Sequence, residues 1–267
     1  QLYSSGIQIL ASVGEAYGTL FGTSYVRDAN GNVVVDANGL PKISTTNKTL
    51  GKFTPDWTGG ISNTFSYRSL SLSFLIDASV GGSIFSNTNK TGKYTGVLAN
   101  TLSGRDAEHG GLWYYTAAMG NNVRLPESPS YSVSSDGLYY AQVNGQSTRV
   151  YQDGIMVEGV TESGSKNEEV VSAEKYYHRI YSIAEANVYD ASYVKLREVA
   201  LSYRLPRLWT QKLHLQEASV TLTGRNLWTI YKSVPNIDPE SALTTGNAQG
   251  VEAVSYTHLR AHETVLD

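Results

Sequence analysis

The chain of 267 residues has no cysteine and only 2 methionines. Without thiols there is no disulfide scaffold, no thiol chemistry and no Cys-ligated zinc or iron–sulfur site. Charge is scarce too: 17% of residues are charged, against about 25% in an average soluble domain. Lys and Arg number 21 and Asp and Glu 24, giving a net charge of −3, so there is no basic face for nucleic acid. Long hydrophobic runs are missing. Stretches such as Val33-Val34-Val35 and Phe74-Leu75-Ile76 reach about three residues, whereas a membrane helix needs roughly 20. This excludes a helical span but not a membrane β-barrel, whose strands alternate and never read as a run. The chain opens on Gln1 with no charged-then-apolar leader, so a signal peptide is expected to be absent or removed.

What is present is a period of two. Leu70, Leu72, Phe74, Ile76, Ala78 and Val80 fall on one face of a strand, and Ser71, Ser73, Asp77 and Ser79 on the other, with Leu75 the one apolar intruder. Just before it, Ile61, Phe65 and Tyr67 alternate with Ser62, Thr64, Ser66 and Arg68. The two runs meet at Arg68-Ser69, which leaves room only for a tight turn. Strands are therefore expected near 60–67 and 70–80, close to the length that crosses a bilayer at a barrel's tilt. A second pair is expected near 193–205 and 218–230. There Val199, Leu201, Tyr203 and Leu205 alternate with Glu198, Ala200, Ser202 and Arg204, and Val220 and Leu222 with Thr221, Thr223 and Arg225. Tyr193, Trp228 and Tyr231 mark the ends, as aromatic girdles do in membrane barrels. A soluble sandwich alternates as well, so alternation alone leaves both architectures open.

The connection between the pairs, residues 81–190, is rich in Gly, Ser, Asn and Tyr. Structureless loops beyond about 15 residues are uncommon in ordinary domains, whereas outer-membrane barrels combine short turns on one side with long external loops on the other. Within it, Ser172 to Ile183 has helical spacing through Tyr176, Tyr177, Ile180 and Ile183 and reads as a short packing helix. Near the N-terminus, Asp28-Ala-Asn-Gly31 and Asp36-Ala-Asn-Gly39 are turn signals. A calcium loop starting at Asp28 would need Gly at position six and Glu at position twelve, where Val33 and Gly39 stand.

Catalytic signatures are missing. There is no G-x-G-x-x-G, P-loop or G-x-S-x-G. His109, His178 and His214 are far apart, and the His258/His262 pair has Leu259 where a zincin has Glu. Glu168-Glu169 reads as a solvated charge pair rather than as glycosidase carboxylates. No enzyme activity, metal or cofactor is expected. The aromatic run Trp113, Tyr114, Tyr115 is the candidate substrate contact, since exposed rings stack on sugars or peptide side chains; packing of the loops onto each other is the ordinary alternative.

An ordered set of motifs resembles the C-terminal part of SusC/RagA-type TonB-dependent outer-membrane transporters. The runs are Gly14-Glu-Ala-Tyr-Gly18, Tyr25-Val-Arg-Asp-Ala-Asn-Gly31, Phe53-Thr-Pro-Asp-Trp-Thr-Gly-Gly60 and Tyr193-Val-Lys-Leu-Arg-Glu-Val199. They continue with Leu201-Ser-Tyr203, Leu205-Pro206, Gly224-Arg-Asn-Leu-Trp228 and Val234-Pro-Asn-Ile-Asp-Pro-Glu240. The resemblance implies an all-β antiparallel transmembrane barrel segment, part of a barrel of about 22 strands around a plug. It implies TonB-driven uptake of glycan or peptide in the bacterial outer membrane, with a SusD-like surface lipoprotein as lid and TonB engaged through a plug region outside this chain. Residues 1–253 would be barrel, with the 81–190 loop extracellular and outer-membrane lipid against the apolar faces. Lumen-facing candidates by phase are Ser71, Ser73, Asp77, Ser202, Arg204, Thr221, Thr223 and Arg225. Residues 254–267 depart from the family and resemble translated sequencing-adapter read-through, so they are read as a non-native tail. The rival readings are a secreted carbohydrate-binding β-sandwich and a glycoside hydrolase fragment.

Overall fold

The structure is a computed structural model that describes residues 6–11, 13–212, 215–242 and 249–252. The suspected tail and its two histidines, and His214, lie outside the described residues. Strands dominate, and among the described residues they pair antiparallel except at two short parallel contacts, one of them the single bridge between Val34 and Val160.

The central feature is a four-stranded sheet in the order β15-β14-β5-β4. Its members are β4 (Trp57–Tyr67), β5 (Leu70–Val80), β14 (Tyr193–Arg204) and β15 (Ser219–Lys232). Tyr67 pairs directly with Leu70, so the β4–β5 turn is the two residues Arg68-Ser69, with Arg68 in the left-handed region at φ 54°. Although more than a hundred residues separate them in sequence, β5 and β14 are hydrogen-bonded neighbours, with Leu72 opposite Leu201. The path is open: β4 and β15 are its outer strands.

Register turns the alternation into rows. Tyr67, Leu70, Tyr203 and Val220 lie in line across the sheet, and so do Phe65, Leu72, Leu201 and Leu222. These side chains are exposed, Leu222 by 75% and Phe65 by 59%. A sandwich would enclose this face between two sheets; here it is an open apolar band. That is the all-β, antiparallel barrel-segment architecture expected from the sequence, not closed within this chain.

The 81–190 segment, expected as one long loop, is a structured body. It contains β6 (Ser83–Ser86), α1 (Asn87–Thr95), β7 (Leu112–Thr116), β8 (Asn122–Arg124), β9 (Tyr131–Val133), β10 (Tyr139–Val143), β11 (Gln146–Met156), β12 (Val170–Ser172), α2 (Ala173–Tyr181) and β13 (Val188–Asp190). The sheet β8-β7-β11-β10-β9, with β12 on β11, surrounds a core of Trp113, Ala141 and Val150. Asn144-Gly145 makes the tight turn between β10 and β11, with both residues at positive φ, as a type I′ turn demands. The helix expected between Ser172 and Ile183 is α2, capped by Ser172 and buried through Ile180.

Helix α1 has the sequence NTNKTGKYT, poor in strong helix formers, and is held by its ends. Ser86 caps its N-terminus and Gly96 its C-terminus in the left-handed conformation. The buried carboxylate of Glu252 accepts from the Ser86 hydroxyl at 3.0 Å and from the Thr88 amide and hydroxyl at 3.0 and 2.7 Å. Glu252 arrives on β16 (Val251–Glu252), which pairs parallel to β6. The N-terminal sheet of β1 (Ile7–Leu10), β2 (Thr19–Gly22) and β3 (Lys48–Lys52) adds Ile7 and Leu20 to a core with Phe85, Ala184 and Val251. Asp28 and Asp36 each accept backbone amides two and four residues on, so both Asp-Ala-Asn-Gly runs are turns.

Candidate functional site

The candidate site is the polar face of the four-stranded sheet. The register sets Ser66, Ser71, Ser202 and Thr221 in one row and Thr64, Ser73, Ala200 and Thr223 in the next. Hydroxyls pair across strands, Ser66 with Ser71 at 2.9 Å and Ser202 with Thr221 at 2.8 Å. Arg225 donates to Glu198 at 3.1 Å, and Arg204 pairs with Glu217 at 2.7 Å. All eight phase-derived candidates, Ser71, Ser73, Asp77, Ser202, Arg204, Thr221, Thr223 and Arg225, thus belong to strands whose polar positions share one face.

The strongest electrostatics on that face come from residues that alternation alone does not find. In β14, Leu196 pairs with Ile76 but Glu198 pairs with Leu75, so Arg197 is one residue too many for its partner strand. This β-bulge changes the phase of the strand. Before it the polar positions are Tyr193 and Lys195; after it they are Glu198, Ala200 and Ser202. The sequence signal is that change of parity, together with a second cluster of charge at Asp238 and Glu240.

Those two motifs meet in space. Lys195 Nζ donates to both Asp238 oxygens at 2.6 and 2.8 Å and to Glu240 Oε2 at 2.6 Å, and its side chain is only 7% exposed. The Arg197 guanidinium spans Asp77 at 2.9 Å and Glu240, on which it makes a two-armed contact. The Tyr193 hydroxyl donates to Glu240 at 2.9 Å. Asp238 opens a short 3-10 turn over 239–241, with Pro239 at its first position and the Asp238 side chain accepting the Glu240 amide. Buried Val234 and Ile237 pack with Ile84 and anchor the same segment. Hydrogen bonds from Arg197 first, and then from Lys195 and Tyr193, hold the Glu240 carboxyl down to about 2 against the opposing effect of burial. The cluster is a clasp: it fastens residues 234–241 to the polar face where the strand bulges.

The aromatic candidates fall elsewhere. Trp113 and Tyr114 are each 5% exposed, and Trp113 stacks on Tyr131 at 4.9 Å with Tyr139 edge-on. Tyr114 stacks on Tyr151 and donates to Asp153 at 3.1 Å; burial pushes the Asp153 carboxyl up. Both rings are buried within the 81–190 body, where they pack against its other aromatics. Tyr115 is half-buried against the same core. Among the described residues no group of three or more His, Cys, Asp or Glu could hold a metal.

No family model matches the chain. Among curated proteins it is similar to TonB-dependent receptor P3 of Formosa agariphila, 25% identical over 253 residues that cover 92% of this chain and 19% of that protein. Among solved structures it is similar to the RagAB peptide importer in the closed-closed state, with TM-score 0.39 and 17% identity over 88% of this chain and 23% of that one. The open-open state gives TM-score 0.40 and 16% identity over 94% and 23%. The curated relative is by name a receptor rather than an enzyme. Over nearly its whole length the chain is similar to a stretch of a TonB-dependent receptor, which bears out the resemblance to SusC/RagA-type TonB-dependent transporters drawn from its ordered motifs.

Proposed function

We propose that residues 1–253 form a barrel segment of a TonB-dependent importer in the bacterial outer membrane, with the polar sheet face toward the lumen and the 81–190 body on the extracellular side. The observation that carries this reading is the opposition of two sheet faces, an exposed apolar band and rows of hydroxyls and ion pairs. A spanning sheet must satisfy its edges, so β4 and β15 would pair with further strands of the same barrel. The imported solute would be a glycan or peptide, and a SusD-like lipoprotein would cover the mouth; both follow from the family resemblance.

The test uses the absence of cysteine from this chain, with any cysteine elsewhere in the full-length protein first replaced by serine. Single cysteines are placed in the full-length protein at Leu72, Leu201 and Leu222 and, in neighbouring variants, at Ser71, Ser202 and Thr221. In reconstituted bilayers the first set should be quenched by a lipid-soluble probe and resist a hydrophilic maleimide, and the second set should do the reverse. Equal labelling of both sets would overturn the assignment of faces.

A further inference from the structure

Lys195 and Lys93 are both buried lysines, yet their surroundings differ. Lys195 is charge-paired with Asp238 and Glu240. Lys93, 9% exposed on α1, donates instead to the Ala186 carbonyl at 2.7 Å and the Asn187 side-chain oxygen at 3.1 Å. Both partners are neutral, and among the described residues no carboxylate lies within 4.0 Å of its ammonium. Burial alone lowers its pKa to about 8, with no charged neighbour contributing. Buried cations are ordinarily paired, because leaving water without a counter-charge is costly. An ammonium has three donors; two are used in these hydrogen bonds, and the Tyr189 ring centroid lies 5.4 Å away, an uncharged neighbour as well.

The surroundings supply room for the missing partner. Lys93 borders a cavity of 760 Å³ between α2, the end of β11 and the 96–110 segment. That lies within the range of roughly 300–1,000 Å³ for small-ligand sites. Ala186, whose carbonyl holds the ammonium, lines the same cavity. Tyr25, Tyr176 and Tyr177 line it too. The Tyr177 hydroxyl is engaged by the carbonyls of Asn100 and Ser103 at 3.0 Å each. Its ring is fixed by these bonds and is available to an apolar or sugar surface. Glu158 is in the wall as well, without bearing on the titration of Lys93. The adjoining pocket of 380 Å³, also bordered by Lys93, is lined by Arg105, Asp153 and Glu174, and neither carboxylate bears on the titration of Lys93.

We propose that this cavity is a binding subsite for a carboxylate-bearing small solute, with the carboxylate paired to Lys93 and the rest of the solute against the tyrosines. A sugar acid and a peptide carboxylate share this chemistry. The subsite stands independently of the importer reading, because its test measures binding and not transport.

The full-length protein in detergent is titrated calorimetrically with glucuronate and with N-acetyl-dialanine, each against its neutral counterpart, glucose and the dipeptide amide. At least one carboxylate should bind tenfold or more tightly than its counterpart, and Lys93→Met should remove that preference. In the unmutated protein, acetylation of Lys93 at pH 8, followed by mass spectrometry, should slow at least fivefold with the bound carboxylate while other lysines are unaffected. Protection by glucuronate alone identifies a sugar acid, by the dipeptide alone a peptide carboxylate, and by both a site that reads the carboxylate itself. No preference for either carboxylate together with an unchanged acetylation rate would overturn the proposal, whether or not the variant folds.

Discussion

In the four-stranded sheet Lys195 is buried against two carboxylates, whereas in the 81–190 body Lys93 is buried against a carbonyl and an amide. The first arrangement joins two distant stretches of chain through opposite charges. The second holds the 3-10 turn at 185–187 against α1 through hydrogen bonds and keeps a cation without a counter-charge. Similar burial therefore leads to different chemistry: one lysine is structural and electrostatically spent, the other is poised toward a partner.

Removing the sheet lysine is the harshest way to break this comparison. Lys195→Met leaves the Asp238 carboxylate with the Glu240 amide and the Glu240 carboxylate with Arg197 and Tyr193. We expect a loss of about 3 kcal/mol, the low end for a buried pair because both acids are partly exposed. Hydrogen exchange over residues 233–241, compared with β5, should show the loss concentrated in the clasp. Acid is a milder form of the same break. The Glu240 pKa lies at about 2 in the fold, below its ordinary 4.5. Its contribution is therefore complete above about 4.5 and is lost as pH falls from there toward 2. Exchange in the clasp should accelerate over that window.

Lys93→Met should cost less than about 1.5 kcal/mol in thermal unfolding, because about 1 kcal/mol for each of two lost hydrogen bonds is offset by removing an uncompensated charge. A loss equal to that at Lys195 would erase the contrast. Alkali should act on Lys93 with the opposite sense to acid on Glu240. Its folded pKa of about 8 is below the ordinary 10.5, so the fold favours the neutral amine. Stability of the 81–190 body should rise from pH 8 to 10.5 and be insensitive to this group below 8. The smallest effect is expected at the hairpin. Arg68→Gly relieves a left-handed residue and forfeits the guanidinium contact with Tyr67 at 5.3 Å. The net gain should be about 0.5 kcal/mol in the unfolding midpoint.

The same two regions differ in how legible they were. Strands β4, β5, β14 and β15 announce themselves because each face keeps one chemistry over many residues, and the lumen candidates follow from the phase. The strands of the 81–190 body are mostly three to five residues long, too short for a period to develop. Helix α1 is invisible to propensity because Gly92 and its Thr and Asn residues disfavour it; its caps and Glu252, far along the chain, hold it. The clasp escaped for a different reason. Counting by twos through β14 assigns Lys195 and Arg197 to the face of Val199, and the bulge reverses that. The burial of Trp113 and Tyr114 is not legible either, because aromatic runs look alike whether they close a core or meet a ligand.

The single extra residue at Arg197 also bears on how such a chain tolerates change in length. Removing one residue there, or adding one elsewhere in β14, would rotate everything on one side of it by half a turn. Lys195 would then point toward the apolar face, and the clasp would have nothing to grip. The 81–190 body lies outside this phase-locked frame and can gain or lose residues at its turns without turning any side chain of the sheet. Insertion and deletion are thus steered to the one part that the sheet does not count.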